Sequence, residues 1–134
     1  MAKITPEMKE VISKMATPVV ATASREGKPN VVPIACVKVI SDDEILLMDN
    51  FMNKTRANIE ANPAVAITVW SMEHHGGYQF KGRARIETQG SIFEDGVKTV
   101  KARRPQINPK AAIIVKVEEI YAVGSGPNSG KRLD

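Results

Sequence analysis

The chain has 134 residues, about the usual size of one domain and too few for two independent hydrophobic cores. Hydrophobic residues make up 43% and charged residues 25%, proportions that are ordinary for a soluble globular protein and that exclude disordered, collagen-like and coiled-coil chains. Lys and Arg number 19 against 15 Asp and Glu, and the resulting net charge of +4 favours an anionic partner.

The cysteine and histidine content limits which disulfides and metal sites the chain can form. Cys36 is the one cysteine, which excludes an intrachain disulfide and a zinc site built on paired thiolates. His74 and His75 are adjacent, so their side chains would diverge on a strand, and no metal site is predicted. No apolar run approaches the ~20 residues that cross a bilayer, and residues 1–7 lack the apolar core of a signal peptide. We therefore expect a cytoplasmic protein without membrane contact, folded as a single domain over residues 1–134.

The first predicted element is a short N-terminal helix within residues 1–16. Thr5 is a favourable N-cap and Pro6 suits the first helical position, because its missing N–H has no helical partner there. Pro18 requires the helix to end before it.

Three strands are predicted next. β-branched residues recur at 19–23 and at 31–40, and the turn at 25–29 contains Gly and Pro, so the two runs form a hairpin. Residues 45–48 are apolar at consecutive positions, as expected of a strand that is covered on both faces.

A second helix and a fourth strand follow. Asn53 can cap the helix, which ends at Asn62 because proline at position 63 disfavours helical conformation in the residue before it. Residues 64–70 then have the composition of a strand.

The last third of the chain contains the clearest strand pattern. Apolar and polar residues alternate over 78–87, which predicts a strand with one dry face and one polar face. Residues 91–94 match a capping box, so a helix is predicted over 92–103. A sixth strand, bent or split, is predicted over 111–123, and the Gly- and Ser-rich tail at 124–134 is predicted to be flexible.

Six strands joined mostly by hairpins and interrupted by short helices predict a mainly β fold. Its antiparallel sheet is expected to close into a small barrel with helices at the barrel ends. An OB-like barrel fits the same strand count. Fold alone does not determine function, which must be argued from particular residues.

A lysine and a threonine open the second predicted helix. Residues 48–55 leave an apolar strand and enter the helix, so the first backbone N–H groups of the helix are free to bind an anion. Lys54 supplies a positive charge and Thr55 a hydroxyl donor, two of the group types that a phosphate monoester needs. A solvated first turn with a capping asparagine is the alternative interpretation.

The same segment resembles a known family. Residues 54–63 read Lys-Thr-Arg-Ala-Asn-Ile-Glu-Ala-Asn-Pro and precede an apolar strand, an order that resembles the pyridoxamine 5'-phosphate oxidase-like FMN-binding split barrels. The resemblance covers residues 18–87 and, more loosely, 111–124, and is strongest to the small flavin-binding proteins with this fold. It implies a six-stranded split barrel that forms a homodimer, with one FMN at each side of the subunit interface.

The resemblance also implies which residues bind the flavin. Lys54 and Thr55 match the basic pair that holds the FMN phosphate. The other implied contacts are Met48 nearest the ring, Asp49, Asn50, Phe51 and Asn53 along the ribityl chain, the backbone of Pro33, Ile34, Ala35 and Cys36 at the isoalloxazine edge, and Gln79 by its position on its strand.

Two departures from the family concern activity rather than the cofactor. The oxidases carry an arginine and a lysine on the strand matching residues 31–36, where this chain has only apolar residues and a proline. The oxidases also continue into a C-terminal segment that binds pyridoxine substrate, whereas this sequence ends at Asp134. We therefore expect an FMN-binding flavoprotein, an oxidoreductase related to these oxidases, without pyridoxal phosphate synthesis.

Two other functions remain open. A basic OB-like module could bind nucleic acid through Lys81, Arg83, Arg85 and the basic end of the helix at 92–103, although few aromatic residues are available for base stacking. Alternatively, the protein stores FMN or transfers electrons without catalysing a reaction of its own.

Overall fold

The computed structural model describes residues 2–73 and 76–134, which form one seven-stranded antiparallel sheet and three helices. This confirms the predicted mainly β fold with short helices. The elements are α1 (Pro6–Lys14), β1 (Val19–Ala23), β2 (Pro29–Pro33), β3 (Val37–Ser41), β4 (Glu44–Asp49), α2 (Lys54–Ala61), β5 (Ala64–Ser71), β6 (Gly76–Glu87), α3 (Ser91–Arg103) and β7 (Ala111–Gly124). The order of the strands in the sheet is β2-β1-β5-β6-β7-β4-β3.

The prediction of six strands is corrected to seven, because the run at residues 31–40 is divided into β2 and β3. At the division, Ile34 N–H donates to Pro18 O at 2.9 Å, and Met48 N–H donates to Cys36 O at 3.1 Å. β2 pairs with β1, whereas β3 pairs with β4 at the other end of the strand order. Because the intervening residues can span only ~14 Å, the two terminal strands must approach each other and the sheet must curl into a barrel.

Apolar residues cover β4 on both faces, as its sequence predicts. Ile45 and Leu47 belong to the larger core cluster, and Leu46 and Met48 belong to a second cluster. α2 joins the larger cluster through its buried Ile59, and α3 packs on the second cluster through residues that include Val100. α2 thus packs against β1, β2 and β6, whereas α3 packs against β4 and β7.

The helix boundaries agree with the predictions more closely than the helix caps do. Thr5 Oγ1 accepts a hydrogen bond from Met8 N–H at 3.3 Å, as expected of an N-cap. Asn53 precedes α2 but makes no capping hydrogen bond, because its φ of −127° and ψ of −86° differ from the extended conformation of a capping residue. α3 begins at Ser91 after Gly90, whose φ is +97°, and the predicted capping box does not form.

The predicted alternation along β6 is confirmed, with Phe80 buried on one face and Arg83 and Arg85 exposed on the other. β6 pairs along its length with β5 and β7, and the register with β7 shifts between Lys81 and Gly82. A Cβ at Gly82 would lie 2.0 Å from the carbonyl oxygen of Lys116, so the close approach of these strands requires glycine. β7 itself is one continuous strand rather than a split one.

The tail after β7 turns back onto that strand. Leu133 N–H donates to Ile120 O at 2.8 Å, and the Asp134 carboxylate accepts from Ile120 N–H at 2.8 Å. The tail thus occupies the part of β7 that extends beyond β4, which pairs only with residues 111–116. These long-range bonds differ from the flexible tail that its composition predicts. No helix in the described ranges combines the length and apolar character that spanning a membrane requires.

Candidate functional site

A cavity of about 530 Å³ lies where the β2–β3 connection, the β4–α2 connection and the end of α3 meet. Its volume falls within the ~300–1,000 Å³ typical of pockets for small ligands and cofactors. Ten of the twelve residues implied by the family resemblance line it: Pro33, Ile34, Ala35, Cys36, Met48, Asn50, Phe51, Asn53, Lys54 and Thr55. Residues distant in the sequence thus meet at one site.

The first turn of α2 provides polar groups to the cavity. Thr55 is buried, and its Oγ1 accepts a hydrogen bond from Asn30 Nδ2 at 3.1 Å. Asn30, which also lines the cavity, donates to Thr22 Oγ1 at 3.3 Å. A hydroxyl has one proton to donate, and these contacts leave the proton of Thr55 available. Lys54 is exposed beside it and forms no ion pair with the carboxylates of residues 2–73 and 76–134.

Asp49 differs from its implied role, because its carboxylate organises the loop rather than facing the cavity. It is fully buried, and its Oδ1 accepts from Met52 N–H at 3.0 Å. Its Oδ2 accepts from Arg56 Nη1 at 2.8 Å, and Lys110 Nζ lies 3.6 Å from Oδ1. These bonds hold the β4–α2 loop in the conformation that presents residues 50–53 to the cavity.

Gln79 is the second implied residue that does not line the cavity. It lies in β6 between Thr68 of β5 and Tyr121 of β7, away from the connections that form the cavity walls. Gln79 was implied by its position on its strand. The alternation of side chains along a strand indicates which face of the sheet a side chain occupies, but not which end of the barrel it reaches.

Asn50 has an unsatisfied polar atom at the cavity. Its Oδ1 is buried and has no hydrogen-bond partner in the part of the chain that the structure describes. An unpaired buried acceptor costs ~1–3 kcal/mol, so a ligand that donates a hydrogen bond here would stabilise the site. Ala35, on the β2–β3 connection that lines the cavity, also has a backbone N–H without a hydrogen bond to the described residues.

Sequence reasoning missed three basic residues that line the cavity. Arg103, Arg104 and Lys38 line it together with the apolar residues Val100 and Ile107. The basic end of the helix at 92–103 is a recognisable signal, but nothing in the local sequence indicates that it approaches β4. No Asp or Glu lines this cavity among the described residues, and the three cations have no ion pair with any of them.

The connection after α3 is held in place by two lysines. Lys101 Nζ donates to the carbonyls of Pro105 at 3.2 Å and Ile107 at 2.9 Å. Lys110 Nζ donates to Met52 O at 3.1 Å, which ties this connection to the β4–α2 loop. Two walls of the cavity are therefore linked by hydrogen bonds rather than positioned independently.

Cys36 is half-buried in the cavity wall. Burial raises the pKa of its thiol, while the positive charges of Arg103 and Lys38 act in the opposite direction. The net direction is upward, so the thiol is mostly protonated at neutral pH and is poorly suited to act as a nucleophile.

The surface considered for nucleic-acid binding carries acidic as well as basic side chains. On the polar face of β6, Arg85 pairs with Glu44 at 2.8 Å and with Glu87 at 3.0 Å, which lowers the pKa of Glu44 and weakens the positive field of this face. Part of the basic helix end lines the cavity instead. The described residues contain no cluster of three or more His, Cys, Asp or Glu side chains suited to a metal. His74 and His75 lie outside those residues.

Comparison with known proteins agrees with the fold. A family model described as pyridoxamine 5'-phosphate oxidase matches residues 4–124. The chain is 38% identical over 133 residues to the uncharacterized protein MJ0282 of Methanocaldococcus jannaschii, covering 98% of this chain and 88% of that protein. A crystal structure of HupZ from Group A Streptococcus matches with a TM-score of 0.82 and 35% identity, covering 95% of this chain and 99% of that one. An FMN-binding protein from Syntrophomonas wolfei matches in fold, with a TM-score of 0.80 and 18% identity, covering 89% of this chain and 85% of that one.

Proposed function

The chain belongs to the pyridoxamine 5'-phosphate oxidase family, and from this membership we propose that it is a flavoprotein that binds FMN in the basic cavity. The observation that carries the proposal is the meeting of Lys54, Thr55 and the first turn of α2 at a cavity lined by no carboxylate among the described residues. The FMN phosphate is a monoester with nearly two negative charges at neutral pH. Free helical N–H groups, a hydroxyl and an ammonium group together suit such an anion.

The remaining lining matches the other parts of FMN. The ribityl chain carries hydroxyl groups, and these can donate a hydrogen bond to the unsatisfied Asn50 Oδ1. The flavin ring is largely apolar, and Met48, Val100 and Ile107 offer apolar contacts. Ala35 N–H provides a donor for a polar atom at the edge of the ring.

We propose further that the flavoprotein is an oxidoreductase. Bound flavin supplies the electron-transfer chemistry, and the residues of the chain bind the cofactor, orient it and exclude water from it. Pyridoxal phosphate synthesis is not part of the proposal, because residues 31–36 lack the Arg and Lys of the oxidases. Turnover with a panel of reductants and acceptors distinguishes an enzyme from an FMN carrier.

The first test is the visible absorption spectrum of the purified protein, before and after addition of FMN. We expect flavin bands and a released chromophore with the mass of FMN. FMN should also slow alkylation of Cys36 at constant pH, because this residue lines the cavity and is the chain's one cysteine. A colourless protein that does not take up FMN, or a bound chromophore of a different mass such as a porphyrin, would contradict the proposal.

A homodimer with FMN at the subunit interface is the proposed assembly. Phe51 lines the cavity, yet this residue is 78% exposed in the single chain. Val31, which precedes the lining residue Val32 in β2, is also exposed. Exposed apolar groups beside a cavity suit coverage by a second subunit. Light scattering is expected to give twice the chain mass of 14.6 kDa, and a monomer at micromolar concentration would contradict this assembly.

A further inference from the structure

We propose that Gly96 of α3 is a positioning residue for the ligand of the cavity, because the absence of a side chain at this position lets Met48 pack against α3 rather than extend into the cavity. The inference rests on the proposed function for the identity of the ligand, FMN. It assigns control over the width of the cavity to a buried glycine that does not itself line the cavity.

The first argument is the contact between Gly96 and Met48. Gly96 lies inside α3 and is not one of the glycines with positive φ, so its backbone conformation does not require glycine. Glycine is also less favourable than alanine in the interior of a helix. A Cβ at this position would lie 2.3 Å from Met48 Sδ and 2.8 Å from Met48 Cε, well inside van der Waals contact. The approach of Met48 therefore gives position 96 its requirement for glycine.

The second argument is that the backbone of Met48 is fixed on both sides of its strand. Met48 N–H donates to Cys36 O at 3.1 Å, and Met48 pairs with Ala112 of β7. Met48 can therefore respond to a new atom at position 96 only through its side chain. A methionine side chain is unbranched and flexible, so its thioether end can turn away from the helix at low cost.

The third argument is the direction in which the thioether can move. Met48 is 2% exposed and belongs to the second core cluster, whose other buried members include Leu46, Ala112 and Ile114. Protein interiors are packed almost without voids, so this cluster has no room for a displaced side chain. The cavity of about 530 Å³, which Met48 lines, is the open space beside it. A side chain at position 96 would therefore push the thioether into the space of the ligand.

The variant G96A tests this inference by fluorescence titration with FMN and with riboflavin, and by thermal unfolding without ligand. We expect Tm to rise or to fall by less than about 2 °C, because alanine favours the helix. FMN affinity should fall by about tenfold or more, because the displaced thioether overpacks the cavity. Riboflavin affinity should fall by the same factor, because riboflavin differs from FMN only in lacking the phosphate.

The matched control is G126A. It adds the same methyl group at a position where no atom lies within 4 Å of the new Cβ, and it should bind FMN like the native protein. A loss of FMN affinity together with an unchanged or raised Tm is the signature of a positioning role, because a general packing defect would lower both.

A second pair of variants shows whether Met48 carries the effect. M48A removes the Sδ, Cε and Cγ atoms that approach position 96. Introduced into M48A, the substitution G96A should change FMN affinity by less than about twofold, because the two positions are coupled through this contact. Losses of similar size with and without the Met48 side chain would overturn the proposal.

Cys36 provides a readout that does not need FMN. It lines the cavity and packs against the cluster that contains Met48, so a thioether displaced into the cavity should shield its thiol. In the ligand-free protein, iodoacetamide should alkylate Cys36 about threefold or more slowly in G96A than in the native protein, since access limits thiol reactivity. The difference should disappear when both proteins carry M48A.

The possible outcomes separate this inference from the proposed function. If the native protein does not bind FMN, the proposed function fails, and the alkylation rates still decide the role of Gly96. If a folded G96A binds both ligands like the native protein, Gly96 is only a packing residue, and the flavoprotein proposal stands. Loss of FMN affinity without loss of riboflavin affinity would place the effect at the phosphate and overturn the inference. A G96A chain that does not fold would also overturn it, because Met48 would then be unable to move into the cavity.

Discussion

Replacement of both Lys54 and Thr55 by alanine is expected to weaken FMN binding by ~100-fold or more. Hydrogen bonds to a charged group contribute ~1.5–3 kcal/mol each, and the variant K54A/T55A removes two donors from the proposed phosphate site. Thr55 is buried, so its hydroxyl is shielded from competing water, whereas the exposed Lys54 acts mainly through its charge. The loss should be largest at low salt, because screening weakens the contribution of Lys54.

Fluorescence titration with FMN measures this effect, and thermal unfolding without FMN shows whether the variant remains folded. The matched control is K98A/T88A, which removes the same two residue types from exposed positions outside the cavity. The control should bind FMN like the native protein. FMN affinity that is unchanged in a folded K54A/T55A variant would refute the placement of the phosphate at α2.

Replacement of Asp49 by alanine is expected to lower the free energy of unfolding by about 3 kcal/mol. The side chain of Asp49 is 0% exposed, and its ion pair with Arg56, which is 24% exposed, has a length of 2.8 Å. The substitution leaves the guanidinium group without its buried partner and leaves Met52 N–H without its acceptor, which is Asp49 Oδ1 at 3.0 Å. The β4–α2 loop should loosen, and FMN affinity should fall although Asp49 does not line the cavity.

Glu60 offers a matched control, because it pairs with the same arginine at the surface. Arg56 Nε lies 3.3 Å from Glu60 Oε2, and the Glu60 side chain is 56% exposed. Exposed pairs contribute ~0–1 kcal/mol, so E60A should be nearly neutral in chemical denaturation. D49N should fall between the native protein and D49A, because its amide oxygen can still accept from Met52 N–H. Equal destabilisation by D49A and E60A would contradict the structural role of the buried carboxylate.

Local sequence patterns were sufficient for much of the fold. The Asn62-Pro63 pair predicted the end of α2, because proline restricts the residue before it. The alternation over 78–87 predicted the two faces of β6, and the apolar run at 45–48 predicted a strand covered on both faces. The resemblance around residues 54–63 predicted ten of the twelve residues as neighbours at one cavity. The predictions of helix ends and strand faces depend on residues that are close together in the chain, whereas the site residues were implied by the family resemblance.

Tertiary structure decided the features that depend on contacts between distant segments. The run at 31–40 has continuous strand character, but it divides because the chain must pass from one terminal strand of the sheet to the other when the barrel closes. The Asp49 carboxylate is buried away from the cavity because it accepts hydrogen bonds from Arg56 Nη1 and Met52 N–H.

The basic end of α3 shows most clearly which features the local sequence predicts and which depend on tertiary contacts. Its sequence determined that it is helical and positively charged, but those properties suit a solvated surface equally well. Packing of α3 on the cluster that contains Met48, together with the bonds of Lys101 and Lys110, brings Arg103 to the cavity. The sequence by itself therefore determined most of the helices and strands and the family of this protein. Barrel closure decided which charges share a site, because that proximity depends on the packing of segments far apart in the chain.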